Sequence, residues 1–328
     1  MIVDYSGQLI DMRVRIIDRL TTDPSAERSA LVAGLRADAA SIPPKYFYDP
    51  LGSALYGAIC ELPEYYPTRT ERAIFDANRV DIAAAVGTGT QLIDLGAGDG
   101  AKAEAWLPFI VPSRYVAVDI AGDAIERTLA RLSGGFPGVE LVGIVTDFTA
   151  GLDVASDLAD GPVTFFYPGS SIGNFTPEEA IEFMRRIQAI CEGRPHSGLL
   201  IGVDTKKDET RLVAAYDDAL GVTALFNRNV LNHVNRRLGS DFDPGAFAHH
   251  ALYAESQGRI EMHLVARSRQ CVRLDGGTRV FEAGDRIHTE NSYKYLPDEF
   301  ETLIACAGFS TVRRWQDRGR DFVVFWAA

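Results

Sequence analysis

Along the chain the spacing of apolar positions changes character several times. Through the first 67 residues no period holds: a short helical stretch gives way to two aromatic clusters, KYFYDP and EYYPTRTE, each bracketed by prolines. Aromatic loops of this kind suit the wall of a pocket. From Thr70 to about Asp204 helix-type and strand-type periods alternate. ERAIFDANRVDIAAAV reads as helix, QLIDL as strand, AKAEAWLPFI as helix and YVAVDI as strand; AGDAIERTLARL, ELVGIVTDF, VTFFYPG, TPEEAIEFMRRIQAI and GLLIGVD continue the series. That order predicts a doubly wound, mainly parallel sheet. The helix after Asn174 is announced by Thr176 as N-cap, Pro177 at the first helical position and an apolar face of Ile181, Met184, Ile187 and Ile190. From Lys206 to about Leu238 the chain reads as helical. It then turns to strands: RIEMHLVARS with period two, QCVRL and TRVFEA around an Asp275-Gly276-Gly277 turn, and HTENSYKY. A helix closed by Gly308 and two short strands, TVRRW and DFVVFW, end the chain. An α+β segment is thus inserted before the last strands of an α/β core.

Composition narrows the choice of partner. The 328 residues carry 33 Lys and Arg against 45 Asp and Glu, a net charge of -12, opposite to the footprint of a nucleic-acid or anionic-membrane binder. No apolar run reaches the length of a bilayer span, and the opening MIVDYSGQLIDMRVRIIDRL lacks a signal peptide's layout, so a cytoplasmic protein is expected. Cys60, Cys191, Cys271 and Cys306 are widely separated and the six histidines show no metal-ligand spacing. Neither a disulfide framework nor a metal site is expected.

The string QLIDLGAGDGAKAE runs a strand into G-x-G-x-G and then a helix, placing a backbone that can turn tightly where open α/β sheets bind ligands. Asp119 ends the next strand about 20 residues on, where a carboxylate can accept hydrogen bonds from both ribose hydroxyls of an adenosine. Nicotinamide dinucleotides and S-adenosylmethionine are both held this way. The third glycine of G-x-G-x-x-G is absent; Asp147-Phe148 ends a third strand with an acid and a ring suited to adenine; and a polar GSSIGN ends a fourth. These features, with the final strand pair, favour S-adenosylmethionine.

The strings PPKYFYDPLGSALY, LPEYYPTRTE, GSSIGNFTPEEA, AYDDALGVTALFNRN, RIEMHLVA and TENSYKY together resemble the histidine-specific Nα-methyltransferases of ergothioneine biosynthesis, from about Ser41 to the end. The resemblance implies a class I methyltransferase (Rossmann-like) core at 68–205 and 294–328. It also implies a second, α+β substrate-binding domain built from 1–67 and 206–293. The implied reaction is trimethylation of the α-amine of L-histidine, through its mono- and dimethyl forms, to hercynine. S-adenosylmethionine falls to Gly96, Lys102, Asp119, Asp147 and Phe148. The substrate's carboxylate and amine fall to Asn174 and Tyr216 with Gly169 on the same wall, and the imidazole to Tyr65, Glu290 and Ser292 with Met262 beside them. Tyr48 matches the tyrosine nearest the reacting amine, as the candidate to orient it and relay its proton. One departure is that Asp99-Gly100 stands where relatives often carry Ser or Thr after the second glycine. The resemblance also suits a monomer acting on a small molecule.

Glu290 and Ser292 stand two apart on an expected strand and so face one side, where both can touch one imidazole. The competing readings are the same fold acting on another amino acid such as tryptophan, and a non-catalytic S-adenosylmethionine-binding regulator.

Overall fold

Six segments of almost unbroken apolar text become strands buried on both faces, as helices packed on either side of a sheet require. The computed structural model describes residues 2–3, 9–10, 13–20 and 24–328; the reading of the chain's opening residues lies partly outside these. Eight strands form one sheet in the order Val312–Gln316, Phe322–Ala327, Gly198–Asp204, Val163–Tyr167, Gln91–Leu95, Arg114–Asp119, Glu140–Val145 and Val14–Asp18. Phe322–Ala327 runs antiparallel to both of its neighbours. The pairings from Gly198–Asp204 through to Val14–Asp18 are all parallel. The strand order reverses at Gln91–Leu95, so the crevice beyond the carboxyl ends of that strand and of Val163–Tyr167 is the place for a ligand.

Val14–Asp18 departs from the division drawn at residue 67. It pairs residue for residue with Glu140–Val145, extending the core sheet although it precedes the α+β elements in sequence. Only five residues long and half exposed, it carries no signal of its own that could assign it to a sheet formed by residues more than 120 positions later.

A second sheet, in the order Phe247–Ala254, Arg259–Ala266, Arg286–Tyr293 and Ala40–Ser41, belongs to the insert, with its fourth strand supplied by the front of the chain. Buried apolar side chains between Leu31 and Tyr66 and between Leu212 and Ile287 share one cluster. The core sheet packs two others, one on each face. A bridge between Thr205 and Tyr295 ties the end of a core strand to the segment leaving the insert.

Local chemistry explains the helices that matter to the site. Thr176 and Glu179 cap each other's backbone reciprocally (3.2 and 2.8 Å), opening Pro177–Cys191. Asp49 accepts the Gly52 N–H (2.7 Å) and caps Pro50–Cys60; it also takes Asn229 Nδ2 (2.8 Å) and an ion pair from Arg236, fastening the front aromatic loop to the helix Val222–Leu238. The long helix read from Lys206 onward is two helices, Glu209–Ala214 and Val222–Leu238, because Gly221 adopts φ +76 and Asp218 caps the second from outside (2.7 Å to Thr223 N).

Candidate active site

The glycine loop is built as its sequence requires. Gly96, Gly98 and Gly100 have φ of +72, +54 and +66, a region costly for any side chain. Asp119 lies under the loop, its Oδ2 accepting Gly98 N–H and its Oδ1 accepting Ala121 N–H, both at 2.9 Å. Each carboxylate oxygen retains a lone pair for a diol. Asp99 accepts the Ala101 N–H (3.0 Å), so the residue that departs from the expected pattern holds the first backbone amide of the short helix Ala101–Glu104. A Cβ on Gly100 would lie 2.5 Å from Thr128 Cγ2. Gly100→Ala is therefore expected to lower stability by about 1–2 kcal/mol and weaken S-adenosylmethionine binding, read by thermal unfolding and calorimetry.

Phe148 forms the wall opposite Gly96. Asp147, expected at the adenine edge, already has protein donors on both oxygens: Lys45 at 3.1 Å on one, Thr149 on the other. Burial raises its pKa, but the bonds from Thr149 and Lys45 outweigh this and hold it below the ordinary aspartate value. It would serve an adenine amino group only as a shared acceptor. Lys45 also pairs with Glu27 (2.8 Å), so the front of the chain reaches the cofactor crevice. Asp94, beneath the loop, was not singled out in the sequence; burial pushes its carboxyl up to about 7 despite the bond from Tyr115 Oη (2.8 Å).

A narrow pocket, with room of about 40 Å³, lies where the two sheets meet. Tyr48, Tyr65, Gly169, Asn174, Tyr216, Met262, Glu290 and Ser292 all line it, from five separate stretches of sequence. Glu290 sits opposite Met262 in the strand register, followed at once by a bulge that leaves Thr289 unpaired on the strand and bonded to Met262 O (3.0 Å). With its amide turned to satisfy its neighbours, Asn174 donates to Glu290 Oε1 (3.2 Å) and to Asn291 O (3.0 Å). Burial pushes the Glu290 carboxyl up to about 7, against the opposing pull of Lys294 and Asn174. Tyr48 as a residue is 37% exposed at the mouth, and its ring makes edge contacts with Tyr56 (5.9 Å) and Phe226 (6.2 Å). Its hydroxyl end faces the pocket, where burial first and the charge of Glu290 second raise its pKa above the ordinary tyrosine value. Orientation of an amine suits it better than proton removal.

Several residues around the cavity escaped the sequence reading. Tyr56, Thr223 and Phe226 line it, from the strings PPKYFYDPLGSALY and AYDDALGVTALFNRN, where no local pattern sets them apart. Glu71, 1% exposed, accepts Lys102 Nζ (2.8 Å) on one oxygen and Gly169 N–H (2.7 Å) on the other, joining the cofactor crevice to the cavity wall. Gly202 leaves the space it needs: a Cβ there would come within 2.1 Å of Glu71 Oε1. Behind Tyr216 and Ser292 lies a buried ion pair, Lys294 with Asp204 (2.8 Å), which Tyr66 and Lys207 also join through Asp204.

Strand order, glycine loop and Asp119 together define a class I methyltransferase that uses S-adenosylmethionine, the group that would supply an electrophilic methyl in the crevice beside this cavity. The family described as histidine-specific methyltransferase, SAM-dependent, matches residues 27–328. The histidine N-alpha-methyltransferase of Mycolicibacterium smegmatis is 39% identical over 319 residues, 95% of this chain and 98% of its own; that of Mycobacterium tuberculosis is 38% identical over 325 residues, 97% and 100%. Ergothioneine biosynthesis protein 1 of Neurospora crassa is 28% identical over 294 residues, 84% of this chain and 32% of its own. The chain belongs to the histidine-specific, S-adenosylmethionine-dependent methyltransferase family.

Proposed function

We propose that this enzyme transfers methyl groups from S-adenosylmethionine to the α-amine of L-histidine, three in succession, to give hercynine for ergothioneine biosynthesis. The observation that carries this reading is the cavity itself: Asn174 and Tyr216 stand beside Glu290 and Ser292 in one hollow, and Gly169 in its wall is tied through Glu71 to Lys102 at the cofactor loop. In this reading the amine lies at the crevice and the imidazole at the strand Arg286–Tyr293.

Methyl transfer from a sulfonium is an in-line displacement, so alignment of nitrogen and methyl about 3 Å apart supplies most of the rate. The chain's task is to fix both ends of the substrate. Asn174 and the Tyr216 hydroxyl take the carboxylate and amine, Tyr65 and Met262 flank the ring, and Tyr48 orients the nitrogen. Glu290 and Ser292 supply polar partners for two ring nitrogens. Tryptophan has only one, so it would strand a buried carboxyl, and a site built for a polar group rejects an analogue lacking it by about 10⁴-fold. The four cysteines are free thiols, which supports a reducing cytoplasmic setting.

With S-adenosylmethionine labelled in its methyl group and each of the twenty amino acids offered in turn, label is expected on histidine alone. Transfer to tryptophan would replace the substrate assignment; transfer to none would favour a regulator.

A further inference from the structure

Lys294 is 1% exposed and its carboxylate partner Asp204 is fully buried. The ammonium has three N–H donors, and three acceptors surround it: Asp204 Oδ2 at 2.8 Å, Tyr216 Oη at 2.9 Å and Ser292 Oγ at 2.8 Å. Lys294 therefore donates to both hydroxyls and can accept from neither. The two hydroxyl oxygens, clamped by one ammonium, lie 2.7 Å apart, a separation that requires a proton between them. Two hydroxyls own two protons. One is committed to the bond between them, so a single proton remains for the cavity that Tyr216 and Ser292 both line.

Burial keeps Tyr216 protonated, so the count holds across the neutral range. If the substrate's carboxylate takes the proton of Tyr216, Ser292 must donate to Tyr216 and can only accept from the ring. A ring N–H must then face Ser292. The other ring nitrogen meets Glu290, which serves it as acceptor when ionised and as donor when protonated.

We propose that Lys294, held by Asp204, is a positioning residue for substrate recognition: by clamping the Tyr216 and Ser292 hydroxyls together it limits them to one donated proton, and so selects an amino acid that brings both a carboxylate and a side-chain N–H. This rests on the histidine reading above and adds to it a reason for selectivity that lies behind the cavity wall. Lys294 touches no reacting atom.

The test is a double-mutant cycle between Lys294→Met and the pair Ser292→Ala/Tyr216→Phe, with kcat and KM for histidine measured beside calorimetric titrations of histidine and, separately, S-adenosylhomocysteine. Lys294→Met is expected to raise KM for histidine about 10- to 100-fold, the range of a hydrogen bond to a charged group, with kcat changed less than about threefold and S-adenosylhomocysteine affinity unchanged. In the background lacking both hydroxyls its effect is expected to shrink below about threefold. Equal effects in both backgrounds, or parallel loss of S-adenosylhomocysteine binding, would mean that Lys294 is only structural. Should Lys294→Met fail to fold, Asp204→Asn/Lys294→Met removes the orphaned charge as well and enters the same cycle against Asp204→Asn. Failure of the unaltered protein to bind histidine overturns the functional reading instead, independently of the cycle.

Discussion

Glu290→Gln is expected to make the ligand-free protein more stable at pH 8 while costing it about 10- to 100-fold in kcat/KM for histidine, the loss of one charge-assisted hydrogen bond. The cause is the carboxyl's position in the cavity, where burial pushes its pKa from an ordinary 4.5 up to about 7. A folded-state value above the unfolded one means that the folded protein binds this proton more tightly. Stability contributed by the protonated form is fully present below about pH 4.5 and is lost as pH rises through about 7. Once the side chain's partial exposure is allowed for, the loss at pH 8 is about 1–3 kcal/mol, and glutamine avoids it while still accepting from Asn174. Thermal unfolding of both proteins at pH 5 and pH 8 reads this directly: the advantage of the variant should widen with pH. A variant less stable at pH 8 would mean that attraction between Glu290 and Lys294 outweighs burial. The carboxyl proposed to grip imidazole is thus one that the empty protein holds at a cost.

Glu71→Ala is expected to damage both binding events together. The carboxylate is the shared acceptor of Lys102 Nζ and the Gly169 N–H, and truncation strands an ammonium and a backbone amide at once. Removing one partner of such a buried set costs about 2–4 kcal/mol, with Lys102 partly exposed and so toward the lower end. Because the two donors belong to the cofactor helix and the substrate wall, KM values for S-adenosylmethionine and histidine should both rise. Glu71→Gln, which keeps an acceptor for Gly169, should recover part of the histidine term. A change confined to one ligand would show that the crevice and the cavity are not joined through this residue.

What the sequence made legible were features written locally. Alternating periods announced the core strands, Thr176 and Pro177 announced a helix start, and the glycine loop with Asp119 announced the crevice. The residues expected to bind substrate were reached through resemblance to a family, and the structure brings all of them to one cavity. What was missed depends on distant partners. Phe247–Ala254 carries no clear strand signal, since His249 and His250 interrupt its apolar alternation; the His249 side chain is nonetheless buried, with Nε2 against Tyr216 O (2.8 Å) and Nδ1 against Asn227 Nδ2 (2.8 Å). AKAEAWLPFI broke into two short helices, Ala101–Glu104 and Leu107–Ile110, with Pro108 in the first turn of the second. Glu71 and Lys294 look like surface charges in the text, because nothing near them in sequence reveals that each is neutralised by a group far away.

The strand bearing Glu290 and Ser292 passes through Lys294 and the Tyr295 bridge to Thr205, and within a few residues becomes the core helix Pro297–Cys306. Chimeras made by exchanging inserts between relatives would therefore have no neutral seam at this end. A crossover placed before Lys294 would pair one parent's selective groups with the other's anchoring ammonium, whereas a splice beyond Tyr295 would transplant them as a unit.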